Sequence, residues 1–460
     1  MVERRHAVIL ESVRRFMRRS AYNHLLNLLR KTRPQDFGPI YDELPEREQL
    51  ALFKLLASRE PEIGAEFLVE LTHGRGPGLL AALEPESAAR LLEKCAEDDS
   101  AELLAALDEE QSARILEAMK PEEKASVEKL LIYEEETAGR IMTLDVFSLP
   151  EDMTIREAIS ALQARSQEVE MAFYLYVVDD RNHLVGVLSL RELLLHPPET
   201  PLKEIMNTDL ITVRTDTDQE EVARVTAKYD LMAMPVVDQN GRLAGMVTID
   251  DVVDVLREEA TEDILRIAGT SEEERIEPSI GKSVRMRSPW LLATFLGGLA
   301  ASVVINGYAG TLQQMVGLAA FIPIVLNMGG SVGTQSAIVI IRGLATGRVR
   351  EGLLLTTFLR EVGVAAVLGF GYGLLLVLGS YAALVLRGQA AGALAVTTGI
   401  VIGASLALSM MLATLMGVTI PLLLHRLGID PALSTTPFVT TTMDVVGSLI
   451  FLSLATLIIL

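Results

Sequence analysis

The run Thr440-Thr441-Thr442-Met443-Asp444-Val445-Val446-Gly447 lies near the middle of the last apolar stretch of the chain. Asp444 reads as the only acid set deep inside any hydrophobic run. A carboxylate at bilayer depth costs about 2.5–3.5 kcal/mol on insertion scales and is kept where it faces a pathway or a partner. No Lys or Arg inside the apolar runs stands ready to neutralise it, so a path for cations is the expectation. The competing reading is a protonated or hydrogen-bonded packing residue. Thr440 and Thr441 come four and three residues earlier, hence on the same helix face. Their oxygens can hold the water shell of an ion, or they can bond back onto helix carbonyls.

Working outward, the chain from Trp290 on is apolar. Five stretches, at about 289–308, 315–341, 362–386, 394–424 and 432–460, each reach the ~20 residues that a membrane crossing needs. Lys282, Arg285, Arg287, Arg342, Arg348, Arg350, Arg360 and Arg426 fall on one side of these spans and Arg387 alone on the other. The excess of positive charge marks the cytoplasmic side. It predicts a multi-pass protein of the cytoplasmic membrane, with the preceding domains inside the cell and the C-terminus outside. Met328-Gly329-Gly330-Ser331-Val332-Gly333-Thr334-Gln335-Ser336 interrupts the second span. Adjacent glycines there allow close packing, or an unwinding that exposes carbonyls, and Pro323 is expected to loosen the same helix.

Charge separates the two parts of this 460-residue chain. Of its 61 acids only Glu351, Glu361, Asp430 and Asp444 stand from Arg285 onward, with eight arginines, so the membrane part carries +4. The first 284 residues hold the other 57 acids against 33 of the 41 bases, a net charge of −24. Such a balance argues against nucleic acid, which needs a basic footprint, and favours cations. Cys95 is alone, so no disulfide framework exists and a reducing compartment fits. The six histidines have no zinc-ligand spacing. No nucleophile–base pairing stands out, so an enzyme is not expected. Met1–Arg19 lacks the uninterrupted apolar core of a signal peptide.

The acidic part contains two repeats. Leu79-Leu80-Ala81-Ala82-Leu83 and the residues to Glu93 return 24 residues later as Leu103-Leu104-Ala105-Ala106-Leu107 onward to Glu117, with a partial third copy from Lys120. This predicts stacked short helices. Gly74-Arg75-Gly76-Pro77-Gly78 is read as a loop between helices. Farther on, Tyr176–Ser189 and Met234–Thr248 are each a strand, a turn and a strand, the second turning at Asn240-Gly241. Helical stretches flank both copies. The pair resembles tandem CBS (cystathionine β-synthase-type) domains, whose Gly-x-x-Thr-x-x-Asp tail stands as Gly245, Thr248 and Asp251, and in the first copy as Gly186, Ser189 and Glu192.

The expected organisation is multidomain. An α-helical solenoid N-domain occupies 1–132, an α+β tandem CBS pair 133–200 and 201–256, a connecting plug helix 257–284, and a five-span α-helical membrane domain 285–460. A five-span subunit is small for a pore, and symmetric pairing supplies a second acid. Two Asp444 carboxylates about 8 Å apart repel by roughly 2 kcal/mol at an effective dielectric near 20, so a proton or a divalent cation must compensate. Magnesium keeps several waters beside one or two carboxylates, and widely spaced acids among hydroxyls suit it.

These residues resemble the MgtE family of magnesium channels from about Leu28 to Leu460. The marks are Tyr133-Glu134-Glu135-Glu136-Thr137-Ala138-Gly139-Arg140-Ile141-Met142-Thr143, Phe321-Ile322-Pro323, the Gly-Gly-x-x-Gly-x-Gln stretch, Arg342-Gly343-Leu344-Ala345, and Asp430-Pro431-Ala432-Leu433 before Asp444. The resemblance implies a homodimer that conducts Mg²⁺ down its gradient, with Asp444 as pore carboxylate and Gly329 and Gly330 in the pore segment. The family often has Asn where Ser331 stands, and Thr436 is another such position, so fine selectivity among divalents is open.

Asp251, Asp254, Glu258 and Glu262 fall near one helical face, with Glu259 and Asp263 on the next. Such a run is either a solvated face or a set of regulatory ion sites. In a region of this charge, like-charge repulsion separates the domains unless cations bridge them. High cytosolic Mg²⁺ is then expected to shut the pore and low Mg²⁺ to release it. The resemblance matches the plug acids to Asp251, Asp254, Glu259, Glu262 and Asp263, with Asp216 and Asp218 as weaker counterparts. It also makes ATP a candidate modulator through Thr248 and Asp251. The rival functions are a proton-coupled divalent-cation transporter, a broad divalent channel and a membrane-tethered sensor.

Overall fold

The computed structural model describes residues 2–71, 75–164, 174–267, 270, 280–345, 354–386, 392–427, 429 and 431–459. Arg348, Arg350, Glu351, Arg387 and Asp430 lie outside the described residues, as does most of 268–279 in the expected connecting helix. The chain divides into two compact units, Met1–Glu259 and Ala260–Leu460.

In the first unit, helices follow one another from Val2–Arg18 to Pro121–Leu131. Proline opens the helices Pro61–Val69, Pro85–Leu92 and Pro121–Leu131, where its fixed φ is pre-organised and its missing N–H costs nothing. The 24-residue repeat is a helix pair. Gly76–Ala82 with Pro85–Leu92 recurs as Glu97–Ala105 with Glu109–Ala118. Leu79 and Leu80 and their counterparts Leu103 and Leu104 are buried, as are Leu91 and Ile115. Gly76-Pro77-Gly78, read as loop, forms the first turn of its helix. A stacked pair, Phe37 on Phe67 with centroids 4.1 Å apart, centres the core.

Two three-stranded sheets follow. In the first, β1 (Ser148–Pro150) pairs parallel with β2 (Tyr174–Val178), which pairs antiparallel with β3 (Leu184–Ser189). The second repeats this with β4 (Val213–Arg214), β5 (Ala233–Val237) and β6 (Leu243–Thr248), down to the same register shift near the end of the middle strand. The turns match as well. Asp179 accepts from the N–H groups of Arg181 and His183, and Asp238 from those of Asn240 and Arg242, all at 2.8 Å. Asn182 and Gly241 take the left-handed position, at φ 64° and 79°, which suits these residue types. The helix Ile249–Ile267 leaves directly from β6.

Among its described residues the second unit holds five helices long and apolar enough to span a membrane: Ser283–Gly307, Val316–Leu344, Leu355–Ala383, Ala393–Arg426 and Pro437–Ile459. Burial ranks them, for the second and fourth are 50% and 44% buried whereas the first is only 6%. The fourth packs against the second, third and fifth, and the first against the fifth. Where helices approach closely, small residues let the backbones touch. A Cβ on Gly417 of the fourth helix would lie 2.2 Å from the Gly333 carbonyl of the second, and one on Gly403 would lie 2.4 Å from that of Gly373 in the third.

Here the structure decides one open reading and corrects two expectations. The second helix, Ile322–Ala345, stays α-helical through Gly329 and Gly330, so the glycines serve packing and not unwinding. Pro323 stands in its first turn, where it breaks no bond. The third helix begins at Leu354 rather than 362. It thereby carries Glu361 inside the span, and Asp444 is not the only acid there.

Candidate functional site

Two groups of carboxylates define the chemistry, one in each unit. In the membrane unit, Asp444 is half-buried on the fifth long helix, Pro431–Ile459. Among the described residues its carboxylate has no hydrogen-bond or ion-pair partner; Ser448 Oγ donates to its backbone carbonyl at 2.6 Å. The hydrogen-bonded packing role is therefore not what these contacts show. A Cβ on Gly330 would meet Thr440 Cγ2 at 3.7 Å, and one on Gly329 would meet Met443 Cε at 3.3 Å. The glycine pair thus lets the second helix lie against the Thr440–Asp444 turn.

Thr440 Oγ1 donates to the Pro437 carbonyl at 3.1 Å, and Thr441 Oγ1 donates to the same carbonyl at 2.7 Å. Back-bonding onto the helix is thus what these threonines do. It uses their protons and leaves oxygen lone pairs to accept from an ion's water shell. Thr441 also faces the first span, where a Cβ on Gly297 would come within 2.6 Å of its Cβ. The side chain of Thr436 lies outside the described residues.

The soluble unit contains a cleft of about 370 Å³ lined by Asp98, Asp99, Glu102, Glu135, Glu136, Asp251, Asp254 and Glu258, with Arg140 as the basic lining residue. Two helix starts deliver the central acids. Asp98 and Asp99 lie in the first turn of Glu97–Ala105, and Asp251 in that of Ile249–Ile267. Acids are favoured there by the helix dipole. Asp251 also accepts from the N–H of Thr248 at 3.2 Å and from its hydroxyl. The first copy repeats the device, with a full capping box between Ser189 and Glu192.

Burial raises the Asp98 carboxyl well above the usual carboxylate range, and the neighbouring Asp99 charge adds to the effect. Burial also raises Asp251, with the Asp98 charge as the next cause. The Asp98 charge therefore opposes ionisation of Asp251. Arg140 is buried and gives one N–H to the Leu130 carbonyl at 3.2 Å, and burial lowers its pKa. Among the described residues no group of three His, Cys, Asp or Glu side chains is set to hold a metal ion. The arrangement is an electronegative cleft whose acids stand in pairs.

The expected regulatory acids separate into groups. Asp251, Asp254 and Glu258 share the cleft. Glu259 accepts from Gln219 Nε2 at 2.8 Å, and Glu262 pairs with Arg266. Asp263 follows on the same helix. Asp216 is held by Arg214 at 3.0 and 2.6 Å. Asp218 caps the helix Gln219–Tyr229 by accepting from Glu220 N at 2.8 Å. These last two have local structural work, and neither lines the cleft. Asp98, Asp99 and Glu102 were not expected. Their signal is the acid run Glu97-Asp98-Asp99 at a helix start, which reads equally well as simple dipole compensation.

Comparison with known proteins bears on both groups. Residues 322–454 match the MgtE divalent cation transporter family, 32–136 its intracellular N domain, and 138–199 and 202–258 the CBS domain. The chain is 42% identical over 342 residues to the magnesium transporter MgtE of Thermus thermophilus, covering 73% of each chain. The chain belongs to the MgtE family. Its Bacillus subtilis relative, also a magnesium transporter MgtE, is 34% identical over 334 residues, 73% of this chain and 72% of that one. A solved cytosolic domain of the Mg²⁺ channel MgtE in complex with ATP is similar at 38% identity and a TM-score of 0.51. That match covers 54% of this chain and 99% of the domain. Membership in MgtE sets the chain among transporters rather than enzymes.

Proposed function

We propose that the chain is a homodimeric Mg²⁺ channel of the cytoplasmic membrane, closed by Mg²⁺ binding among its acidic cytoplasmic domains. The observation that carries the path is Asp444, a carboxylate with no partner among the described residues, on a spanning helix beside the glycine pair and two hydroxyls. Thr440, Thr441, Gly329 and Gly330 complete the pore lining. Ions that keep their water suit such a lining, because the helix offers no free carbonyls to replace that water. Relatives named as magnesium transporters support Mg²⁺ as the cargo. The soluble domains are assigned to the cytoplasm and the C-terminus to the outside. The domain limits proposed are those read from the sequence, 1–132, 133–200, 201–256, 257–284 and 285–460.

The gate is assigned to the acidic cleft. Asp98, Asp251 and their neighbours repel one another when ionised, and a divalent cation that bridges them favours the closed arrangement. Moving a two-state equilibrium from 1:99 to 99:1 takes about 5.5 kcal/mol of differential binding, which several weak sites supply together. Glu259, Glu262 and Asp263 are the remaining plug-helix candidates. ATP is proposed as a modulator of the CBS pair, supported by the related domain solved with ATP. Thr248 and Asp251 are the assigned contacts.

The test is Mg²⁺ flux into liposomes holding the purified protein. Currents reversing at the Mg²⁺ equilibrium potential whatever the pH gradient support a channel. Reversal that follows pH establishes the proton-coupled transporter instead, and a silent Asp444→Ala leaves only the tethered sensor.

A further inference from the structure

Among the described residues Glu361 is the second acid within the spanning helices, and the proposed path does not use it. It lies about two turns, roughly 10 Å, into its helix and is only 7% exposed. An ionisable group so placed is retained for a reason, and its partner shows what the reason is. That partner is Ser336 of the second helix, itself 4% exposed, whose hydroxyl donates to Glu361 Oε2 at 3.2 Å.

Ser336 shares a helix face with Gly329 and Gly333, which precede it by seven and three residues. At Gly333 the backbone of the second helix touches Gly417 of the fourth. Backbone contact of this kind fixes how far apart two helices lie and which faces meet, and leaves open only a small rotation of the second helix. A hydrogen bond to one side chain of the third helix removes that freedom. That small rotation matters because Gly330 stands in van der Waals reach of Thr440, an added Cβ meeting Thr440 Cγ2 at 3.7 Å, so even a slight turn shifts the two against each other.

We propose that Glu361 is a positioning residue that fixes the rotation of the second helix through Ser336 and so holds Gly329 and Gly330 against the Thr440–Asp444 turn. The role needs an acceptor oxygen, not a charge. The inference rests on the channel reading for its transport consequence only, since the helix placement is measurable without transport.

The experiment uses the full-length protein in liposomes. Glu361→Leu and Ser336→Ala are each expected to lower Mg²⁺ uptake about tenfold, the upper end of what losing one neutral hydrogen bond costs. Glu361→Gln keeps an acceptor oxygen and is expected to stay within about threefold of the unsubstituted protein. A disulfide between Leu326→Cys and Gly447→Cys, positions whose side chains would meet across the second and fifth helices, reports placement directly. Its yield should fall in Glu361→Leu and recover in Glu361→Gln. Should Glu361→Leu fail to assemble, Ser336→Ala, which removes a single oxygen, decides the matter. Unchanged cross-linking in the folded variants overturns the proposal. Equal losses of uptake in Glu361→Gln and Glu361→Leu also overturn it, because charge would then be what matters. If the unsubstituted protein takes up no Mg²⁺ while the cross-link behaves as expected, the channel reading fails and the positioning role stands.

Discussion

Asp444 and Asp251 are the same chemical group in opposite surroundings. Among the described residues Asp444 has no side-chain partner on its spanning helix, whereas Asp251 shares a cleft with seven other carboxylates and leans on Thr248. An isolated acid beside hydroxyls holds a passing ion loosely, so that the ion leaves again. Crowded acids bind an ion because it relieves their mutual repulsion, so occupancy changes which arrangement of the domains is preferred. Transport needs the first property and regulation the second. The chain keeps them in separate units.

The comparison breaks most sharply at Asp444. Asp444→Ala should lower Mg²⁺ flux by about a hundredfold or more, as expected when the charge that justifies a polar site in a membrane is removed. Flux at the unsubstituted rate would refute the path. The paired neutralisation Asp98→Asn with Asp251→Asn should leave maximal flux intact and raise the Mg²⁺ concentration needed for closure about tenfold. That factor corresponds to about 1.4 kcal/mol of lost differential binding. Limited proteolysis across a Mg²⁺ series reads the same shift, and an unmoved midpoint would remove the cleft from the gate.

A pH effect sharpens the contrast. Burial and neighbouring carboxylate charges raise Asp98 and Asp251 to about 7 in the folded chain, against about 3.9 for an unfolded Asp. The folded state therefore binds more protons than the unfolded one across this window. Stability falls as pH rises from about 4 to about 7, and the penalty is complete above that. A cation offsets the penalty only once the acids are ionised. Scanning calorimetry of the full chain should show Mg²⁺ raising Tm by about 3–5 °C more at pH 8 than at pH 5. An equal rise at both would disconnect Mg²⁺ from these acids. The smallest effect is expected at Asp216, whose pair with Arg214 is surface-exposed. Asp216→Asn should change stability by less than about 0.5 kcal/mol and leave the closure midpoint in place.

Legibility in the sequence followed the range of the interactions. The five spans and the two sheets come from local periodicity, and both were readable because hydropathy and strand alternation need only neighbouring residues. Glu361 was misplaced because Arg360-Glu361 breaks the apolar run, although the helix itself starts at Leu354. The glycine pair reads equally well as an unwinding or a packing signal, and only the neighbouring Thr440 and Met443 show which it is. Asp98 and Asp251 are far apart in the chain, and nothing near either one announces the other. Their meeting is a property of the fold.

The second helix is unbroken through Gly329 and Gly330. With its carbonyls spent on its own turns, the lining of the proposed channel would sort cations only by the girth of their hydrated spheres and by charge. Dehydration enthalpy then drops out of the sorting rule, and ions of alike hydrated size should compete as near equals at the mouth.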